Sequence, residues 1–155
     1  MQVKYVNLRL QYRELRSKIL NKIDEICNSG NYILGNEVKK FEKNFSKLCG
    51  TKFAVGVNSG TDALFLSLKA LGIENGDEVI TTPYTFYATV GAIVAAGAKP
   101  VFVDVREDYN INPHLIEKAI TKKTKAIIPV HLTGKPADLD KILDIALSHR
   151  LYVLE

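Results

Sequence analysis

Between Leu8 and Cys27, apolar residues fall three and four positions apart: Leu8, Tyr12, Leu15, Ile19, Ile23 and Ile26. That period lines one helical face and predicts an amphipathic helix from about Leu8 to Cys27, stopped by Ser29-Gly30-Asn31. A short loop, Tyr32-Ile33-Leu34-Gly35, precedes a second helix from about Asn36 to Leu48. That helix has Val38, Phe41 and Phe45 on one face and Cys49-Gly50 at its end. Beyond it the pattern changes to short apolar runs separated by helical stretches. The runs Phe53–Val57, Glu78–Thr82, Pro100–Val105, Lys125–Val130 and Leu151–Glu155 predict five strands, and four of them are almost continuously apolar. Helices are predicted from about Thr61 to Leu71, Thr85 to Ala96, Pro113 to Ile120 and Ala137 to Ser148. Pro113 suits a first helical turn, where its missing N–H costs nothing.

Strands that alternate with helices predict an α/β fold, a mostly parallel sheet with helices on both faces. The division expected is an N-terminal helical segment, residues 1–50, and an α/β domain, residues 51–155. No internal repeat, low-complexity tract or linker interrupts them. In open α/β sheets, ligands sit just beyond the carboxyl ends of the strands. The sequence stops at one such end, at Glu155, so we expect a piece of a longer protein with an incomplete α/β domain.

Composition adds exclusions. A chain of 155 residues with 46% hydrophobic and 25% charged residues is ordinary for a soluble globular protein. No apolar run is long enough to span a bilayer, and the N-terminus lacks a signal-peptide core, so neither a membrane nor export is expected and the cytoplasm is the expected location. Cys27 and Cys49 are too few and too far apart for a disulfide scaffold or a zinc site, and read as buried or idle thiols. The net charge is +4, with Lys122, Lys123 and Lys125 clustered in what reads as a solvated loop. Without a basic stripe and interleaved aromatics, nucleic acid is not an expected partner. Three dispersed histidines, His114, His131 and His149, suggest no metal site.

Candidate chemistry sits between the run Phe53–Val57 and the helix after it. Asn58-Ser59-Gly60-Thr61 reads as a tight turn that opens a helix. The first N–H groups of a helix have no partner inside it, and the helix dipole adds about half a positive charge there, so such a turn can hold an anion. Gly60 has no Cβ to keep a phosphate from the backbone. On the residues alone a second reading stands: Gly60 only makes a turn and Thr61 only caps a helix. His131, at the end of a buried strand, reads either as a contact to a bound molecule or as a satisfied structural histidine.

Five segments together resemble the DegT/DnrJ/EryC1/StrS family of sugar aminotransferases, which use pyridoxal 5′-phosphate (PLP). They are Tyr32-Ile-Leu-Gly-Asn-Glu-Val-Lys-Lys-Phe-Glu42, Asn58-Ser-Gly-Thr-Asp-Ala-Leu64, Gly76-Asp-Glu-Val-Ile-Thr-Thr-Pro-Tyr-Thr-Phe86, Gly97-Ala-Lys-Pro-Val-Phe-Val-Asp104 and Lys125-Ala-Ile-Ile-Pro-Val-His-Leu132. Their order and spacing cover nearly the whole chain. The resemblance implies the large domain of the type I aminotransferase fold, here truncated, and a homodimer. It also implies amination of a keto group on a nucleotide-linked sugar, with an amino acid, glutamate in common cases, as donor.

By the same resemblance, Gly60, Thr61 and Asp62 match the turn that holds the cofactor phosphate, and Ser59 is placed to lend a hydroxyl. The Asp62 side chain is expected to turn away from the phosphate while its N–H contributes. Phe86 matches the aromatic position that stacks on the pyridine ring, flanked by Tyr84 and Tyr87. Tyr32 matches the segment near the substrate mouth. The family's cofactor-binding lysine and the carboxylate beside the pyridine nitrogen match no residue of this chain. Lys135 does not match that lysine and reads as a surface residue. Two later strands of the family sheet are also absent, so Phe53–Val57 is expected to lack neighbours, and the 155-residue piece made alone to be unstable or to aggregate. Asn7 stands where many relatives have Asp.

Two other readings remain at this point. One is a relative on the same fold that does not transaminate, either a sugar dehydratase or a regulator. The other is a Rossmann-type nucleotide-binding module, for which Gly56-Val-Asn-Ser-Gly60-Thr lacks G-x-G-x-x-G spacing. The strand Glu78–Thr82 ends in Thr81-Thr82-Pro83, not in the acidic residue that would hold a ribose, and no P-loop motif is present.

Overall fold

A computed structural model of the chain describes residues 5–155. These residues divide into two compact units that meet in sequence between Gly56 and Val57.

The first unit holds α1 (Leu8–Ser29) and α2 (Asn36–Leu48). Asn7 starts α1: its side-chain oxygen accepts the Leu10 N–H at 3.2 Å. Gly30, in the left-handed region at φ 69°, ends it. Neither helix buries a residue, and the apolar faces read from the sequence are open, including Ile19 and Ile23 on α1 and Phe41 and Phe45 on α2. Both cysteines are exposed, so the buried reading of the thiols does not hold.

The run Phe53–Val57 forms no strand. Phe53 and Val55 are 73% and 78% exposed, so the expected buried strand is corrected to an extended, uncovered segment. None of the strands described pairs with it, and a strand exists only through its neighbours' hydrogen bonds. Within this segment, the Gly56 N–H donates to the Glu42 carboxylate at 2.8 Å.

The second unit carries α3 (Gly60–Ala70), β1 (Glu78–Thr81), α4 (Tyr87–Ala95), β2 (Lys99–Phe102), α5 (Pro113–Ala119), β3 (Thr124–Ile127), α6 (Leu139–His149) and β4 (Tyr152–Val153). The four strands form one parallel sheet in the order β2-β1-β3-β4, where the sequence led us to expect five strands. Side chains alternate across it. Val79 and Ala126 face a core shared with Leu68 of α3 and Ala92 and Ile93 of α4. Ile80 and Ile127 face the opposite core, shared with Ile116 of α5 and Ile142 and Ala146 of α6. Helices therefore cover both faces, as the near-continuous apolar runs required.

Which helix lies on which face follows from chain direction. The connection β1→α4→β2 moves one way along the sheet, while β2→α5→β3 and β3→α6→β4 move the other way. Right-handed crossovers then put α4 on one face and α5 and α6 on the other. The direction reverses between β1 and β3, which makes their carboxyl ends the topological switch point of the sheet.

Several elements are shorter than their sequence patterns. The fourth helix starts at Tyr87, not near Thr85. The residues before it are occupied otherwise: the Thr85 and Thr89 hydroxyls meet at 2.9 Å, and the Phe86 carbonyl accepts the Thr89 N–H at 3.1 Å. Strand β2 stops at Phe102. Beyond it Val105 pairs antiparallel with Ile111, so the chain folds back on itself. Gly97 is held at φ 93°, an angle that favours glycine, and a Cβ there would stand 3.3 Å from Asn75 N and press on that backbone.

Candidate functional site

The turn that opens α3 is built by Ser59. Its extended backbone ends the preceding segment, and its Oγ accepts the Asp62 N–H at 3.1 Å. The Ser59 hydroxyl in turn donates to the Asp62 carboxylate at 3.0 Å. Ser59, not Thr61, is thus the cap, and Gly60 is already the first helical residue. Asp62 is engaged within this turn. Its N–H is used by the cap, and its carboxylate is held by the serine hydroxyl across the first turn. The Ala63 N–H donates to the Ser59 carbonyl at 3.0 Å.

That leaves the amides of Gly60 and Thr61 without a hydrogen-bond partner among the described residues. Both residues are exposed. A Cβ built on Gly60 would meet no atom within 4 Å, and Gly60 does not need a positive φ. The fold itself therefore does not call for glycine at this position. Two free amides on the positive end of an 11-residue helix, with open space over them, are suited to an anion carrying several oxygens.

Phe86 occupies the cap position of α4 and is 60% exposed, its ring 4.4 Å from that of Tyr87 in a tilted arrangement. Phe86 thus lies outside the core. It follows β1 by five residues and so stands in the loop on the carboxyl side of the sheet, and α4 packs beside α3. Tyr84 turns to Tyr109, with ring centroids 5.3 Å apart. Tyr32 lies in the first unit, between α1 and α2. It is exposed, with its hydroxyl donating to the Cys27 carbonyl at 3.4 Å.

Along the same carboxyl edge, His131 follows β3 and Glu155 follows β4. Their side chains meet, Nε2 to Oε2, at 3.0 Å. His131 Nδ1 accepts the Ala137 N–H, also at 3.0 Å. Both ring nitrogens are thus occupied by protein, which is the satisfied arrangement. The partner Glu155 lies 24 residues away in sequence, so no local pattern pointed to it.

A charged cluster holds the loop that follows His131. Lys135 Nζ contacts Asp108 Oδ2 at 2.9 Å, and Arg106 reaches Asp108 at 3.3 Å and Asp138 at 3.7 Å. Buried Asn110 donates to the carbonyls of Lys135 and Pro136 at 3.3 and 3.2 Å. The hydrogen bond from Lys135, followed by the Asn110 N–H and the neighbouring cationic charges, holds the Asp108 carboxyl down at about 2. The ammonium of Lys135 is therefore engaged in an ion pair. Among the described residues, no group of three or more histidine, cysteine or acidic side chains is arranged to hold a metal. No described helix is long and apolar enough to cross a membrane.

Comparison with known proteins places this geometry in a family. The profile of the DegT/DnrJ/EryC1/StrS aminotransferase family matches residues 13–155. The chain is 47% identical over 156 aligned positions to the "Pleiotropic regulatory protein" of Geobacillus stearothermophilus, covering 100% of this chain and 42% of that protein. It is 46% identical to the dTDP-3-amino-3,4,6-trideoxy-alpha-D-glucose transaminase of Streptomyces venezuelae, with 99% and 41% covered. Among solved structures, NtdA from Bacillus subtilis with bound cofactor PMP superposes with a TM-score of 0.88 at 39% identity, over 90% of this chain and 32% of that one. The chain thus spans about two-fifths of the length of the curated relatives it matches. With its parallel sheet, its helix-covered faces and a profile match over nearly its whole length, the chain belongs to the DegT/DnrJ/EryC1/StrS aminotransferase family.

Proposed function

We propose that the full-length protein is a PLP-dependent aminotransferase that converts a keto group on a nucleotide-linked sugar to an amine, with an amino acid, glutamate, as donor. One observation carries this reading: the unpartnered amides of Gly60 and Thr61 at the open start of α3. The residues present fit the cofactor. Gly60 and Thr61 would bind its phosphate. Phe86, exposed on the carboxyl side of the sheet, would lie against the flat face of its ring, where offset contact between π systems is favourable. When bound, the cofactor supplies an electron sink for carbanion chemistry.

The remaining roles in this chain are binding and orientation. Ser59 fixes the first turn of α3 so that the two free amides point outward together. Its hydroxyl keeps the Asp62 carboxylate within the turn and so limits repulsion of an incoming phosphate. Tyr32, exposed between α1 and α2, is the candidate contact to the sugar. The lysine that would hold the cofactor and the carboxylate beside its ring nitrogen would lie in the full-length protein beyond these 155 residues. A homodimer in the cytoplasm fits the family's sugar-modifying members.

The regulatory name of one relative supports a second reading, a non-transaminating protein on the same fold. The residue at the lysine position separates the two. After free PLP is removed by dialysis, the full-length protein should retain an absorbance band between roughly 330 and 420 nm that is lost on replacing that lysine. No band with the native protein would remove the aminotransferase reading.

A further inference from the structure

We propose that Tyr109 is a positioning residue of the cofactor site: from a strained turn after β2 its ring stacks on Tyr84 and so sets the loop that bears Phe86. This rests on the reading of Phe86 as the residue that lies against the cofactor ring.

The backbone gives the first observation. After β2 the chain folds back through the three-residue loop Glu107-Asp108-Tyr109, closed by the Arg106 N–H, which donates to the Asn110 carbonyl at 2.9 Å. Inside the loop the Tyr109 N–H donates to the Arg106 carbonyl, also at 2.9 Å. Loops of this length put their last residue in the left-handed region, and Tyr109 is there at φ 65°. Glycine and asparagine take that angle most readily, whereas other side chains bring Cβ too close to the following carbonyl. The turn by itself therefore disfavours tyrosine. A backbone outlier of this kind directs attention to what its side chain does.

The ring of Tyr109 stacks on that of Tyr84, with centroids 5.3 Å apart and planes inclined by 30°. Tyr84 belongs to the segment between β1 and α4 and stands two residues before Phe86. The other contacts of this segment are local. The Tyr84 N–H donates to the buried Thr82 hydroxyl at 3.2 Å, and the Thr85 hydroxyl meets that of Thr89. The stack ties the segment to a different loop.

That loop is itself well anchored on both sides of Tyr109. Buried Asn110 donates to the carbonyls of Lys135 and Pro136, and the Asp108 carboxylate takes the Lys135 ammonium and Arg106. The turn thus stands on the loop after β3 and presents its ring to the loop after β1. Those two strands flank the topological switch point, where a ligand of an open α/β sheet lies. Every partner in this chain of contacts lies inside the sequence, between Thr82 and Pro136. Tyr109 acts on the site through Tyr84 and touches no reacting atom.

Variants of the full-length protein separate positioning from folding. Tyr109→Asn accepts the left-handed angle and removes the ring. Its denaturation midpoint should stay at or above the native one, while PLP binds about threefold more weakly and the circular dichroism of bound PLP shrinks. Inorganic phosphate, which needs only the start of α3, should bind it as it binds the native protein. Tyr109→Phe keeps the ring and should match the native protein in all of these. Tyr84→Ala should reproduce the loss of PLP affinity, and Tyr109→Asn added to it should weaken binding no further, because both act through one contact. Native PLP affinity and dichroism in Tyr109→Asn would overturn the proposal. So would a loss that Tyr109→Phe shares, a clearly lowered midpoint or equally weakened phosphate binding in Tyr109→Asn, or additive losses in the double variant. A native protein that binds inorganic phosphate but not PLP would overturn the cofactor reading, and this role with it. Coupling between Tyr84 and Tyr109 in the denaturation midpoints would in that case still show the stack to be present.

Discussion

Gly60 is the residue at which architecture and chemistry separate most cleanly. Its backbone needs no special angle and its Cβ position is empty, so Gly60→Ala should change thermal stability by no more than about 0.5 kcal/mol. The same methyl group would stand where a phosphate oxygen must approach, and a lost charge-assisted bond should weaken PLP binding by about tenfold or more. Calorimetry and a PLP titration on the same full-length variant check both halves. Ser59→Ala should behave oppositely in kind. It removes the cap of α3 and should cost about 1 kcal/mol of stability, read as a lowered denaturation midpoint. Phe86→Ala, at a site 60% exposed, should leave the fold unchanged and lower PLP affinity about fivefold.

At the scale of elements, the helices of this chain were legible because each one carries its own hydrogen bonds and its own stop signals. Gly30 ends α1 as its position suggests, and Pro113 begins α5. Strand limits were less legible because they depend on partners that no local pattern shows. Glu78–Thr81 is a strand because β2 and β3 flank it, whereas Phe53–Val57, the more apolar run, is not one because nothing described flanks it. The turn Ser59–Asp62 could be located from sequence, but the identity of its cap and the fate of each amide required coordinates. His131–Glu155 and the cluster of Arg106, Asp108, Lys135 and Asp138 join residues distant in sequence, and single residue types gave no sign of them.

That cluster makes a prediction about acid. Asp108 is held at about 2, below its ordinary value, chiefly by the Lys135 hydrogen bond, and Asp138 is lowered chiefly by its hydrogen bond to Lys141. A carboxyl lowered on folding stabilises the native state above its unfolded value near 3.9, and that contribution is lost as pH falls toward its folded value. The loop from His131 to Asp138 should therefore loosen between about pH 4 and pH 2. Lys135→Met should raise the Asp108 value toward the ordinary carboxylate range, as followed by NMR titration of that carboxyl. An unmoved Asp108 would show that the ion pair does not form in solution.

At the scale of the whole molecule, the two compact units differ in how much they bury. The α/β unit has two apolar layers around its sheet, while neither α1 nor α2 buries a residue and Phe53 and Val55 stand uncovered. Exposed apolar faces and an unpaired extended segment favour association. The 155-residue chain made alone should therefore bind a hydrophobic dye and self-associate on size-exclusion chromatography. A monodisperse monomer with one cooperative thermal transition would contradict this. The full-length protein is the material for the most direct test of the proposed site. In its crystal structure with PLP, phosphate oxygens should lie within about 3 Å of both the Gly60 and Thr61 nitrogens. A phosphate bound elsewhere, with those two amides covered by protein atoms, would contradict the assignment.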